Sequence, residues 1–207
     1  MHERAAEFAA RARDRYGVDL DVLEFDAGTE TAASAADAVG CDTAAIASTI
    51  VVSLSGGDTG ADGGGGSADG DTGDRLVAAI TSGANRLDLD AVAAHFGAAE
   101  ATMADPVRIR ETVGWSIGGV PPLCHDVALP TAFDPTLAGY DTVYGAAGTP
   151  SAVFAVDPER LAALADATTV DLTECGRAAA SPPLRPRRRS ALTIDRGLAA
   201  CVINYEL

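Results

Sequence analysis

The chain has 207 residues, with 30 acidic against 15 basic side chains; every cation is an arginine, and lysine is absent. That length provides one domain with a real core plus appendages. No stretch reaches a membrane span or carries the pattern of a signal peptide, so a soluble, cytoplasmic protein with no membrane partner is expected. An acidic surface repels phosphate and excludes broad nucleic-acid binding, DNA included, driven by counterion release in low salt.

The same acidity, with abundant Ala, Val, Thr and Gly, suits a halophile's salt-rich cytoplasm, where a Debye length of about 3 Å at molar salt screens self-repulsion. Net charge then says little about whether one local site can hold an RNA end. The cysteines Cys41, Cys124, Cys175 and Cys201 form no C-x-x-C or zinc pattern. His2, His95 and His125 are scattered. Neither a metal, a cofactor nor a disulfide framework is expected.

In chain order, residues 3–16 read as an amphipathic helix. Ala5, Phe8, Ala9, Ala12 and Tyr16 lie on one side, arginines on the other, and Gly17 stops it. Leu20, Val22 and Phe25 suggest a short strand. Thr31 caps a small helix to Val39, ended by Gly40. Residues 46–54 are apolar and β-branched almost throughout, as in a strand buried on both faces. Residues 55–74 are glycine and aspartate with no apolar anchor, and read as a flexible insertion between that strand and another at 75–80. Its glycine run is no phosphate loop, because no lysine comes after it and no helix begins there.

A turn at 81–86 leads to a helix at 88–96. Asp105-Pro106 starts a helix through Thr112, with aspartate at the cap and proline in the first turn. A strand at 131–133, a short helix from Asp134-Pro135, strands at 142–146 and 152–156, a helix from Asp157-Pro158 to about Ala165 and a strand at 168–172 complete the pattern. This is mixed α/β without a regular βαβ repeat. Residues 1–173 form the domain. Residues 174–207 hold six arginines against three acids, where residues 1–173 hold nine against 27. That tail reads as a disordered extension, although a basic tail can also touch RNA or an acidic surface.

The chemistry concentrates in Thr112-Val113-Gly114-Trp115-Ser116-Ile117-Gly118-Gly119-Val120-Pro121-Pro122-Leu123-Cys124-His125. Glycine lets backbone approach a ligand closely, and proline stiffens the residues after it. A loop built from both can present free amides at small entropic cost, though an ordinary tight turn would look the same. His125 titrates near neutrality and could orient a substrate or accept a proton; it could equally be a loop histidine bonded to backbone. Cys124 reads as small packing rather than a nucleophile, and Trp115 as core or pocket wall.

The order of the pieces resembles the YbaK/EbsC family, whose domain is also found as the editing insertion of bacterial prolyl-tRNA synthetases. The matching stretches are Ala45-Ile46-Ala47-Ser48-Thr49-Ile50-Val51-Val52, Ser82-Gly83-Ala84-Asn85-Arg86-Leu87-Asp88, Asp105 to Gly114, Gly118-Gly119-Val120-Pro121-Pro122, Asp134-Pro135-Thr136-Leu137 and Ala146-Ala147-Gly148-Thr149-Pro150. They span roughly residues 3 to 172, and the family's Gly-x-x-x-Pro signature falls on Gly118 and Pro122.

The resemblance implies a partly barrel-like mixed β-sheet flanked by short helices. It implies a deacylase acting in trans that hydrolyses the ester of a small mischarged amino acid on tRNA. The partner would be the 3′ aminoacyl end of mischarged tRNA, with a synthetase as a second candidate and no cofactor. Gly118, Gly119, Ser48 and His125 would carry catalysis; Thr49, Val120, Pro121, Pro122, Ala147 and Gly148 would bind substrate, with Gly148 on the wall opposite the glycine loop. Two positions depart from the family. Ser48 stands where relatives carry a lysine, with Thr49 beside it as a partial substitute. Cys124 stands where many relatives have glycine before the histidine. Because Ser48 and Thr49 alternate across a strand, only one is expected to face the pocket. The alternative implied by the missing lysine is a non-catalytic module that binds aminoacyl-tRNA or a small ligand and has lost hydrolysis.

Overall fold

The computed structural model describes residues 2–26, 31–56 and 74–174. Helix α1 (Glu3–Tyr16) packs Ala5, Phe8 and Ala12 inward, and Gly17 in the left-handed region closes it. Strand β1 (Asp21–Glu24) leads to α2 (Ala32–Val39), entered through a capping box between Thr31 and Ser34 and closed by Gly40. A 3-10 turn, Thr43–Ala45, runs straight into the long strand β2 (Ile46–Ser55), which pairs antiparallel with β3 (Arg75–Ser82). The central part of the 55–74 insertion and all but Glu174 of the 174–207 tail lie outside the described residues.

The second half begins with α3 (Leu89–His95) and β4 (Glu100–Met103). Next comes α4 (Pro106–Val113), where the Asp105 carboxylate caps two first-turn amides and Pro106 sits in the position that needs no N–H. After a long irregular segment come β5 (Thr131–Phe133), a 3-10 turn at Pro135–Gly139, β6 (Val143–Ala146), β7 (Ala152–Val156), α5 (Pro158–Leu164) and β8 (Ala167–Thr169). The expected elements are found with shifted ends. β4 has no counterpart in the sequence pattern, and the last strand starts and ends earlier than the expected 168–172.

The eight strands form one mixed sheet in the order β1-β7-β6-β2-β3-β5-β8, with β4 joined to β2 off that path. One face carries the main core around Phe8, Trp115, Phe133, Phe154, Leu137 and Leu161. The other carries a smaller core around Val52, Val77, Val92 and Leu172.

The position of β2 matters most for function. From Ala47 to Leu54 it is paired with β3 on one edge. On the other edge β6 pairs only with Ile46 and Ala47, and β4 only from Val52 to Ser55. Residues 48–51 therefore have no strand partner on that side, and the sheet splits there.

Candidate functional site

A cavity of ≈ 200 Å³ fills the split. Sheet breaks usually expose main-chain polar groups, and this one does so in a definite pattern. The Ile46 carbonyl accepts from Gly83 on the β3 side, and the Val51 carbonyl accepts from Ala104 on the opposite side. Backbone polar groups alternate edge along a strand. Thr49 therefore turns its own N–H and C=O toward the split. Its hydroxyl Oγ1 is buried and has no hydrogen-bond partner among the described residues. Buried hydroxyls are nearly always paired, so this one is a hydrogen-bonding group left free at the cavity wall.

Both Ser48 and Thr49 line the cavity, whereas alternation predicts one. The split removes the neighbouring strand, so the cavity reaches residues from both faces of β2. The same effect leaves Ser48, Thr49 and Ile50 half-buried in a strand expected to be buried throughout. The remaining wall is mostly apolar and mixes small residues (Ala35 of α2, Ala104, Ala146 of β6) with larger ones (Met103, Ile109 of α4, Tyr144). Gly83 holds the α2 entrance close, because a Cβ there would sit 2.5 Å from that of Ala32.

The opposite rim is the Ser116–Gly119 turn. The Gly119 N–H donates to the Ser116 carbonyl at 3.1 Å, and Gly118 has φ +86°. A positive φ at the third position of such a turn is the type II pattern, which favours glycine. Gly119 is needed for a different reason: a Cβ on it would meet the Thr149 backbone at 2.7–2.8 Å. The two glycines thus do separate jobs. Gly118 and Val120 line the cavity, and neither N–H has a hydrogen-bond partner among the described residues. The Gly119 amide is consumed by its own turn, which corrects the expectation that both glycine amides are available.

The rest of the motif turns away from the cavity. Trp115 is fully buried, donates Nε1–H to the Cys124 carbonyl at 2.9 Å, and lies under the guanidinium groups of Arg4 and Arg11 at 4.2 and 4.9 Å from the ring. Gly148, at φ +85°, packs on the Trp115 ring; a Cβ would lie 2.5 Å from it. Ala147 is fully buried in the main core, and it is Ala146, not Ala147 or Gly148, that reaches the cavity.

Pro121 and Pro122 are buried and do not line the cavity. Pro122 packs near Gly145 and reaches a second cavity instead, with Cys124 and His125. The His125 Nε2 is 2.7 Å from the Pro121 carbonyl, so that nitrogen carries the hydrogen, and the His125 carbonyl accepts from Arg15. Burial holds the imidazole below its usual pKa despite that bond. Cys124 sits at φ +66°, which explains why glycine suits this place. Its thiol is pushed up to about 11, chiefly by burial, and stays protonated.

Asp134, expected as a helix cap, does cap Thr136 and also accepts from the Ser82 N–H and the Asn85 amide. Burial opposes its charge, but these donors outweigh burial and hold the carboxyl below its usual range.

Four of the ten sequence-derived site residues therefore meet at the cavity: Ser48, Thr49, Gly118 and Val120. The motif gave no signal for Ile117, Ile109, Ala35 or Tyr144, which line it too. Among the described residues no three His, Cys, Asp or Glu side chains gather as metal ligands, and no helix is long and apolar enough to cross a membrane.

The fold recurs in known proteins. Residues 26–164 match the profile of the aminoacyl-tRNA editing domain. A crystal structure of a candidate trans-editing enzyme for prolyl tRNA synthetase superposes with TM-score 0.70 at 34% identity, covering 84% of this chain and 99% of that one. A scaffold protein used for epitope backbone grafting gives TM-score 0.70 at 33% identity, with the same coverage. A hypothetical protein at 22% identity and TM-score 0.65, with coverage of 83% and 100%, shares the fold. With a profile match over most of its length and a relative above 30% identity aligned nearly end to end, the chain belongs to the aminoacyl-tRNA editing domain family.

Proposed function

We propose that the protein is a deacylase acting in trans on a tRNA carrying a small, wrong amino acid. The observation that carries this reading is the split-sheet cavity. At ≈ 200 Å³ it falls below the roughly 300–1,000 Å³ of drug-sized ligand pockets. That volume suits a short side chain better than a long one, which is the size limit that a second sieve needs.

In this mechanism the aminoacyl group enters between Thr49 and the Gly118 turn. Water attacks the acyl carbon and the ester C–O bond breaks. The tRNA terminal oxygen leaves with a proton, giving free amino acid and uncharged tRNA. The N–H groups of Gly118 and Val120 donate to the oxyanion that forms on the carbonyl oxygen; losing one such donor typically costs about 10²–10³ in rate. The Thr49 hydroxyl gains the partner it lacks by bonding to the substrate. Gly119, Pro121, Pro122, Ala147, Gly148 and His125 act through shape, by clamping the turn against the core.

The test is release of amino acid from tRNAs charged with alanine, cysteine or serine, at high salt. Release from at least one is expected, and no turnover on a broad mischarged panel would overturn the reading. One observation favours a second reading, the binding module without hydrolysis. The chain has no lysine anywhere, and Ser48 at the cavity supplies a hydroxyl but no charge. Tight binding of a non-hydrolysable charged-tRNA mimic, with no cleavage of the real ester, would select it.

A further inference from the structure

The substrate of the proposed deacylase is a polyanion, and a cation near the cavity mouth would favour its binding. The described residues contain nine arginines and no lysine. Seven of these arginines are committed. Arg4 pairs with Glu7, Arg11 with Glu7 and Asp126, Arg13 with Asp19 and Arg15 with Asp126. Arg86 pairs with Glu174 and Arg108 with Asp74, while Arg75 donates to the Phe96 carbonyl. Only Arg110 and Arg160 have no ion pair or side-chain hydrogen bond among the described residues. Arg160, on α5, lines neither the cavity nor its surroundings.

Arg110 is exposed in the last turn of α4 and lines an open cleft of ≈ 640 Å³ with Pro106, Val107, Glu111, Ser116 and Ile117. Ile117 belongs to both the cleft and the cavity, so the two adjoin. Val107 and Ile117 are 63% and 54% exposed, an apolar surface with nothing on it. The cleft therefore offers a free cation, an apolar floor and one carboxylate beside a cavity sized for a small acyl group.

These features match a nucleotide piece by piece. A guanidinium suits a phosphate oxygen, an apolar floor suits a base face, and a carboxylate can accept from a sugar hydroxyl. We propose that the α4 cleft is the subsite for the terminal nucleotide of the tRNA, with Arg110 binding its phosphate and Ile117 separating nucleoside from aminoacyl group. Arg110 thereby supplies, from a helix on the opposite rim, a positive charge that β2 lacks at Ser48. This assignment rests on the cavity being the aminoacyl site.

The experiment uses the full chain and two non-hydrolysable probes, a tRNA acceptor minihelix and an adenosine, each carrying alanine at its 3′ position through an amide. Arg110→Gln should weaken minihelix binding roughly tenfold at low salt, as expected for one lost charge-assisted contact. It should also flatten the plot of log Kd against log salt by about 0.7, the share of one phosphate on a single strand. Binding of the adenosine probe, which has no phosphate, should change far less, and Arg110→Lys should recover much of the loss. Wild-type minihelix affinity and salt slope in Arg110→Gln, or an equal loss on both probes, would overturn the assignment. Hydrolysis is measured separately on ester-linked tRNA, so a failure of the deacylase reading is distinguishable from a failure of the cleft.

Discussion

The signature loop has two halves that lie in contrasting surroundings. Residues 116–120 border empty space except at Gly119, which packs on the Thr149 backbone and belongs with the clamp: Ile117 is exposed, and Gly118 and Val120 carry amides unpaired among the described residues at a cavity. The 121–125 segment is packed against the Trp115 hub, with every residue buried and its carbonyls bonded to Trp115, His125 and Arg15. A continuous motif thus combines a working edge with the clamp that holds it. Substitutions in the clamp should register first in stability, and substitutions at the edge first in activity.

The largest effect is expected at the hub. Trp115→Ala removes the biggest fully buried side chain and strips the ring from beneath Arg4 and Arg11. A loss of about 3–5 kcal/mol is expected by chemical denaturation, a large part of a typical 5–15 kcal/mol total. The adjacent glycines then sharpen the comparison. Gly119→Ala drives a Cβ into the Thr149 backbone, so the whole loop must shift, at about 1–3 kcal/mol together with activity. Gly118→Ala forces a side-chain-bearing residue to φ +86°. That costs roughly 1–2 kcal/mol, and the turn carrying the proposed oxyanion donors deforms. Its amino-acid release should fall by tenfold or more, out of proportion to its stability. Equal ratios of activity loss to stability loss in both glycine variants would erase the distinction between edge and clamp.

Sequence reveals the helices and most strands because their signals are local. Asp-Pro starts α4 and α5, a capping threonine starts α2, and a β-branched run marks β2. It misses β4, where Ala101 is the sole buried residue of four, so no alternation can be seen. The cavity itself is illegible for a related reason. It exists because β6 and β4 leave residues 48–51 of β2 unpaired, a fact about three strands spread over about 100 residues. For the same reason Ala147 and Gly148 read as wall. The family order places them near the site, but only the register of β6 decides that Ala146 faces it. His125 and Cys124 look chemical because of their residue types, yet burial lowers the imidazole's pKa and pushes the thiol's up to about 11.

Thr49 tests the working edge with opposite signs in two measurements. Thr49→Val replaces a buried, unpartnered hydroxyl with a methyl of similar shape. Relieving that desolvation cost should raise stability by about 1 kcal/mol. Amino-acid release should fall, because in the proposed mechanism the hydroxyl bonds the substrate. A variant that is both more stable and fully active would show that the hydroxyl has no part in turnover.

The smallest effect separates the two halves by pH. His125 is buried and its imidazole is held below the usual 6.5. A lowered histidine pKa means that the folded state resists a proton that the unfolded chain accepts. Its contribution to stability is therefore complete above pH 6.5 and is lost as pH falls from there through the lowered folded value, with a slope of at most about 1.36 kcal/mol per pH unit. Asp134 is shifted below 3.8, so its contribution is lost only as pH falls from there, and its window opens at lower pH than that of His125. His125→Gln should be less stable than wild type at pH 8 but should flatten the stability curve as pH falls below about 6.5. The pH profile of amino-acid release, measured where both proteins are folded, should keep its shape, because the ring bonds the Pro121 carbonyl and lies outside the cavity. A release profile that loses a limb near neutrality in His125→Gln would move the histidine from the clamp to the working edge.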